Sequence, residues 1–122
     1  MTQRDPRYDI LFEPVQIGPV TTKNRFYQVP HCNGMGHGKP QSLAAMRGVK
    51  AEGGWGVVCT EEIEIRPFSE IAPHFECGLW DDSDIPALRL MTDACHAHGA
   101  LAGAELFFNG YATPNRYSRE IP

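Results

Sequence analysis

The spacing of apolar and polar residues changes along the chain, and the changes divide it into elements. Asn24 to Val29 (NRFYQV) alternates as a strand does, meets Pro30, and delivers His31 and Cys32 into a loop containing Gly34, Gly36 and Gly38. Gln41 to Glu52 carries Leu43, Met46 and Val49 at helical spacing and stops at Gly53-Gly54, which predicts a first helix with a glycine terminus. Val57 to Thr60 is short and mostly β-branched, predicting a buried strand with Glu61, Glu62 and Glu64 crowded at its far end. Asp84 as N-cap, Pro86 in the first turn and Ile85, Leu88, Met91 and Cys95 along one side predict a second helix that runs to His98-Gly99. Leu101 to Phe108 predicts a third strand, weakened or closely packed at Gly103.

Upstream, Met1 to Asp9 reads as a surface arm. Ile10 to Phe12 and Val15 to Ile17 flank Pro14, and Gly18-Pro19 supplies a turn, so a short hairpin or plug is expected beneath the strands. Arg66 to Asp82, with Pro67, Pro73 and Gly78, predicts an irregular excursion over one face. The order strand, helix, strand, helix, strand implies an α/β fold of parallel strands joined by right-handed crossovers. In such a fold His31-Cys32, Glu61-Glu62 and Phe108-Asn109 share the face at the carboxyl ends of the strands.

Composition narrows the partners. With 42% hydrophobic residues over 122 positions, the chain can bury a core as one domain. A net charge of -4 and scattered lysines and arginines provide no basic face, which argues against nucleic acid. No apolar run reaches the length of a signal core or a membrane span, so a cytoplasmic location away from membranes is expected. Cys32, Cys59, Cys77 and Cys95 show no CxxC spacing; free thiols are expected, with no metal site.

Read on its own residues, Cys32 is either a nucleophilic thiol or a small buried hydrophobe. His31 can face a cofactor or simply bond to backbone. The three glycines complete neither a Walker nor a Rossmann phosphate loop. Glu105 lies inside the apolar run AGAELFF, which argues against a surface position, and a buried carboxylate needs a partner.

The segments LFEPVQIGPVTTKNRFYQVPHC, VKAEGGWG and LAGAELFFNG, with PHC directly after NRFYQV, resemble the trimethylamine/dimethylamine dehydrogenase family of the old yellow enzyme (NADH:flavin oxidoreductase) superfamily, from about Arg4 through Arg119. The resemblance implies a (β/α)8 TIM barrel with FMN at its carboxyl face. Such a barrel needs roughly 250 residues, so residues 1–122 are expected to supply an incomplete FMN-binding barrel domain: about three strands, preceded by a short β-hairpin. The later strands, the catalytic residues, the nucleotide-binding-like domains and the ligands of a 4Fe-4S cluster are expected elsewhere in a longer parent, and none of the four cysteines is assigned to that cluster.

By the same resemblance, Cys32 is the counterpart of a cysteine joined to the flavin by a thioether. Val29, Pro30 and His31 are cofactor contacts beside it, and Glu105 takes the place of a residue that bonds the pyrimidine edge of FMN. Glu61 matches the family and is expected to give structural support. Glu62 departs from it: the trimethylamine-specific members have a tyrosine there, part of an aromatic bowl for a cation. A carboxylate suits an ammonium with N–H donors instead, or else it faces solvent. The implied function is an FMN-dependent amine dehydrogenase or N-demethylase acting on a small amine, with the electron acceptor left open. The alternatives are an ene-reductase using a nicotinamide cofactor, or an inert fragment. Open sheet edges predict that the 122 residues alone are inactive and form a homo-oligomer.

Overall fold

The computed structural model describes residues 4–67 and 76–110. Three parallel strands form the central sheet: β3 (Tyr27–Gln28), β4 (Val57–Glu64) and β5 (Leu101–Phe107), in the order β3-β4-β5. Helix α1 (Pro40–Glu52) joins β3 to β4, and α2 (Ile85–His96) precedes β5. The alternating order expected from the sequence is present. Among the described residues no helix is long and apolar enough to cross a membrane.

Ahead of the sheet, β1 (Val15–Ile17) and β2 (Val20–Thr22) pair antiparallel around Gly18-Pro19. The hairpin lies at the amino-terminal end of the sheet. A Cβ on Gly56, just before β4, would overlap Thr22 Oγ1 and come within 2.5 Å of Asn24 Oδ1. The described part of the expected arm differs: Pro6–Phe12 forms a 3-10 helix, because Asp5 caps it and Pro6 occupies its first turn. Arg25 docks this helix by donating from its backbone N–H to Leu11 O and from Nε to Ile10 O.

β3 is shorter than Asn24 to Val29. The Asn24 side chain accepts from the Phe26 N–H and donates to Gly54 O, which takes the start of the segment out of the ladder. β4 is longer than expected and runs through the three glutamates, with all eight residues buried. The segment beside it explains this: Cys77 to Leu79 aligns parallel to the end of β4, where the Glu64 N–H donates to Cys77 O and the Leu79 N–H to Glu64 O. The rest of the predicted excursion, residues 68–75, lies outside the described residues.

The helices cover one face of the sheet through Ala44, Ala51, Val58, Met91, Cys95 and Ala100. The buried face of α1 is Leu43, Ala44, Arg47, Gly48 and Ala51, turned away from the predicted stripe, and Val49 is 65% exposed. Small residues decide this. A Cβ on Gly48 would stand 3.3 Å from the Ala94 Cβ of α2, so the two helices meet closely where side chains are smallest. Asp84 stands at the N-cap of α2, as expected, but its side chain makes no cap bond to that helix. Asp81 caps the short 3-10 helix Asp82–Asp84, and the Asp84 carboxylate accepts from the Trp80 and Asp81 N–H groups as the other half of a capping box.

Candidate functional site at the carboxyl ends of the strands

Beyond β3 the chain passes through Val29, Pro30, His31 and Cys32. Val29, His31 and Cys32 are exposed, and Cys32 is a free thiol. Their course is set from α1. Arg47, fully buried, donates through Nη1 to Gln28 Oε1 at 3.0 Å and through Nη2 to His31 O at 2.6 Å. The His31 N–H reaches Thr60 O at 3.4 Å, tying the same peptide to β4.

After Cys32, two carboxylates hold the glycine loop. Glu61 accepts from the Asn33 N–H through Oε2 at 3.0 Å and from the Gly36 N–H through Oε1 at 2.5 Å. Glu76 accepts from the Gly34 N–H at 2.8 Å. Gly36 is buried against this pair, and a Cβ there would overlap both Glu61 Oε1 and the Glu76 carbonyl oxygen. Burial raises the Glu61 carboxyl above its ordinary range. The Asn33 N–H opposes that shift, and a hydrogen bond shared with the Glu76 side chain adds to it.

A register shift between Cys59 and Glu62 inserts one extra residue in β4 opposite β5, so that Cys59 pairs with Gly103 and Glu62 with Glu105. Partners in a parallel ladder project on the same side, and this side is opposite the one covered by the helices. Glu62 and Glu105 therefore stand next to each other. Glu62 is 8% exposed, and its Oε1 has no hydrogen-bond partner among the described residues. Burial raises this carboxyl, with Glu76 and Glu105 adding to the shift. Glu105, whose apolar surroundings predicted burial, is exposed in this chain, on the strand at the edge of the described sheet.

Cys32 lies in the same field. Partial burial raises its thiol, a hydrogen bond with the Glu62 backbone opposes the shift, and the carboxylates of Glu62, Glu76 and Glu61 add to it. The structure thus places Glu62 near both Cys32 and Glu105, while Val29, Pro30 and His31 precede Cys32 beyond the end of β3. The other cysteines are buried and free, as expected. Burial pushes Cys77 up to about 12. Among the described residues no group of His, Cys, Asp and Glu could hold a metal ion.

Sequence reasoning missed Arg47 and Glu76. The small residues Ala44, Gly48 and Ala51 signal a close-packed helix face that includes Arg47. Glu76 carries no local signal, since its role depends on the chain returning beside β4.

Residues 10–121 match the NADH:flavin oxidoreductase / NADH oxidase family. Over 118 residues the chain is 51% identical to dimethylamine dehydrogenase from Hyphomicrobium sp. (strain x), covering 97% of this chain and 16% of that protein. Its fold superposes on histamine dehydrogenase from Rhizobium sp. 4-9 with a TM-score of 0.91 at 60% identity, over 98% of this chain and 18% of the other. The same TM-score and coverage relate it to 6-hydroxypseudooxynicotine amine oxidase from Pseudomonas geniculata N1, at 53% identity. The chain spans less than a fifth of the length of each of these relatives. Its hairpin, three parallel strands and two helices correspond to the amino-terminal part of a (β/α)8 barrel.

Proposed function

The chain belongs to the NADH:flavin oxidoreductase / NADH oxidase family, and from that premise we propose that the protein carrying it is an FMN-dependent amine dehydrogenase or N-demethylase. The donor set fits a flavin. An exposed thiol at Cys32 suits an electron-poor ring, the exposed Glu105 carboxylate would accept from a ring N–H, and Val29, Pro30 and His31, the last held by Arg47, would supply further contacts. When bound, FMN supplies the acceptor for a hydride from the carbon next to the amine nitrogen. In this reading Cys32 is the position of a thioether to the ring. The further domains and the 4Fe-4S cluster of such a protein belong to the longer parent.

The observation that carries the substrate class is the buried, unpartnered Oε1 of Glu62. A buried acceptor left without a donor costs about 1 to 3 kcal/mol, and an ammonium N–H placed against it recovers that cost. Glu62 then binds and orients the amine beside Cys32 and Glu105. A secondary ammonium offers two donors and a tertiary one only one, so secondary amines are preferred. The test is the ratio of kcat/KM for dimethylamine and trimethylamine in the wild-type full-length protein and in Glu62→Tyr. A shift of about tenfold to a hundredfold toward trimethylamine is expected, since a charge-assisted bond contributes roughly 1.5 to 3 kcal/mol. An unchanged ratio rules Glu62 out as the amine contact.

A further inference from the structure

We propose that Glu61, with Glu76 as its partner, is the positioning residue for Cys32, holding the peptide that follows the thiol; this rests on the reading of Cys32 as the residue that faces the flavin. The amide of Asn33 belongs to the peptide group joining Cys32 to Asn33, and its N–H is the one bound by Glu61 Oε2 at 3.0 Å. The other oxygen of the same carboxyl holds Gly36, and Glu76 holds Gly34 between them. Three loop N–H groups therefore end on two carboxyls that also share a hydrogen bond with each other.

The extra residue of β4 makes this possible. Glu62 stays in register with Glu105, while Glu61, fully buried, is free to turn to the loop. Gly36 seats the loop in contact with both glutamates, leaving no room for a side chain. Burial raises the Glu61 carboxyl and the neighbouring Glu76 side chain adds to the shift, so a negative charge on Glu61 is disfavoured beside the loop. The described groups that face Glu61 are Arg47 from α1, Cys32 from the loop, and Glu76 and Cys77 from the segment beside β4.

The experiment uses the full-length protein and the variants Glu61→Gln, Glu61→Met and Glu76→Gln. Glutamine keeps one of the two acceptors for the loop and puts an NH2 that cannot accept from a backbone N–H in place of the other; methionine keeps the volume and neither acceptor. Two quantities are read: the fraction of flavin that survives acid extraction, and the rate of Cys32 alkylation against pH in protein prepared without flavin. Glu61→Met should lower the acid-resistant fraction at least tenfold, and Glu61→Gln, with one loop acceptor left, should lower it less. Wild-type alkylation should show two inflections, one from the thiol and one from the Glu61 carboxyl; Glu61→Gln and Glu61→Met should lack the second, and Glu76→Gln should move it to lower pH, because Glu76 raises Glu61. Wild-type behaviour of Glu61→Met in both measurements would overturn the proposal. Should Glu61→Met fail to fold, Glu61→Gln decides, and an unchanged two-step profile there overturns it. Complete release of flavin from the wild type would instead refute Cys32 as the attachment point, and the alkylation profile would still judge the role of Glu61.

Discussion

Arg47 Nη2 donates to the carbonyl oxygen of His31 at 2.6 Å, so a residue in the middle of α1 determines where the chain leaves β3. The same guanidinium reaches Gln28 Oε1, and its Nε has no partner. Burial lowers its pKa, and the nearby Glu61 carboxylate is the largest opposing influence. One buried cation thus ties the helix to the strand end that carries the candidate cofactor contacts.

Replacing Arg47 by methionine keeps apolar bulk but leaves Gln28 Oε1 and His31 O without their donor. At about 1 to 3 kcal/mol for each abandoned acceptor, partly relieved by relaxation, the expected destabilisation is on the order of 2 to 4 kcal/mol. Arg47→Lys keeps the charge but cannot span both acceptors, and should recover about half. Urea midpoints at unchanged slope measure this; equal midpoints for wild type and Arg47→Met would deny the tie its importance.

Gly36 and Gly38 provide a matched pair in one loop. A methyl at Gly36 would overlap Glu61 Oε1 and the Glu76 carbonyl and stand 2.9 Å from Cys77 Sγ, whereas a methyl at Gly38 meets nothing within 4 Å. Gly36→Ala should cost about 1 to 3 kcal/mol from overpacking, and Gly38→Ala should stay within about 0.5 kcal/mol of wild type. Melting temperatures of the two variants compared side by side test the seating of the loop.

Much of this was legible from local pattern. The turn at Gly18-Pro19, the glycine stop after Glu52 and the alternation of strands with helices depend on neighbours in sequence, and they appear where expected. The errors share another cause. Val49 looked like part of a buried stripe because it is apolar, but the helix turned so that Ala44 and Gly48 could approach α2, and Arg47 came inside with them. The glutamates of β4 read as crowding the far end of a four-residue strand, yet they continue the strand, and Cys77 to Leu79 and the glycine loop cover them. Such partners lie far off in sequence, and no spacing rule reports them. In the site, Cys32, Glu62 and Glu105 could be named from the sequence, but the register that sets Glu62 beside Glu105 depends on an inserted residue that periodicity cannot locate.

The thiols should separate cleanly. Cys59, Cys77 and Cys95 are buried and Cys32 is exposed. Brief alkylation of the folded protein should modify Cys32 alone, or no thiol at all where the ring is attached to it. At neutral pH the reaction should be slower than for an unstructured cysteine, because burial and the surrounding carboxylates raise the Cys32 thiol and leave less thiolate. Peptide mass spectrometry after a timed pulse checks both statements. Labelling of Cys59 at a comparable rate would show that the β3-β4-β5 sheet opens readily.

Glu62 should leave a signature in the pH dependence of stability. Its carboxyl is raised in the folded chain by burial first, and then by Glu76 and Glu105. An acid whose folded pKa exceeds its unfolded value contributes its full stability below the unfolded pKa, near 4.5. That stability is lost as pH rises through the folded pKa, because the unfolded chain then releases the proton more readily. Glu62→Gln has no proton to lose, so the variant should gain on the wild type as pH rises from about 4.5 and reach a plateau above the folded pKa. Denaturation midpoints of both proteins across that range, taken as a difference, cancel the titration of every other group. An ammonium ligand acts in the opposite direction: it favours the ionised carboxylate, lowers the Glu62 pKa, and should bind the wild type more tightly above that pKa than below it. A flat difference curve would mean that the Glu62 carboxylate is hydrated in solution. The same curve shifted to lower pH by dimethylamine, and unmoved by the amine in Glu62→Gln, would tie the buried carboxylate directly to amine binding.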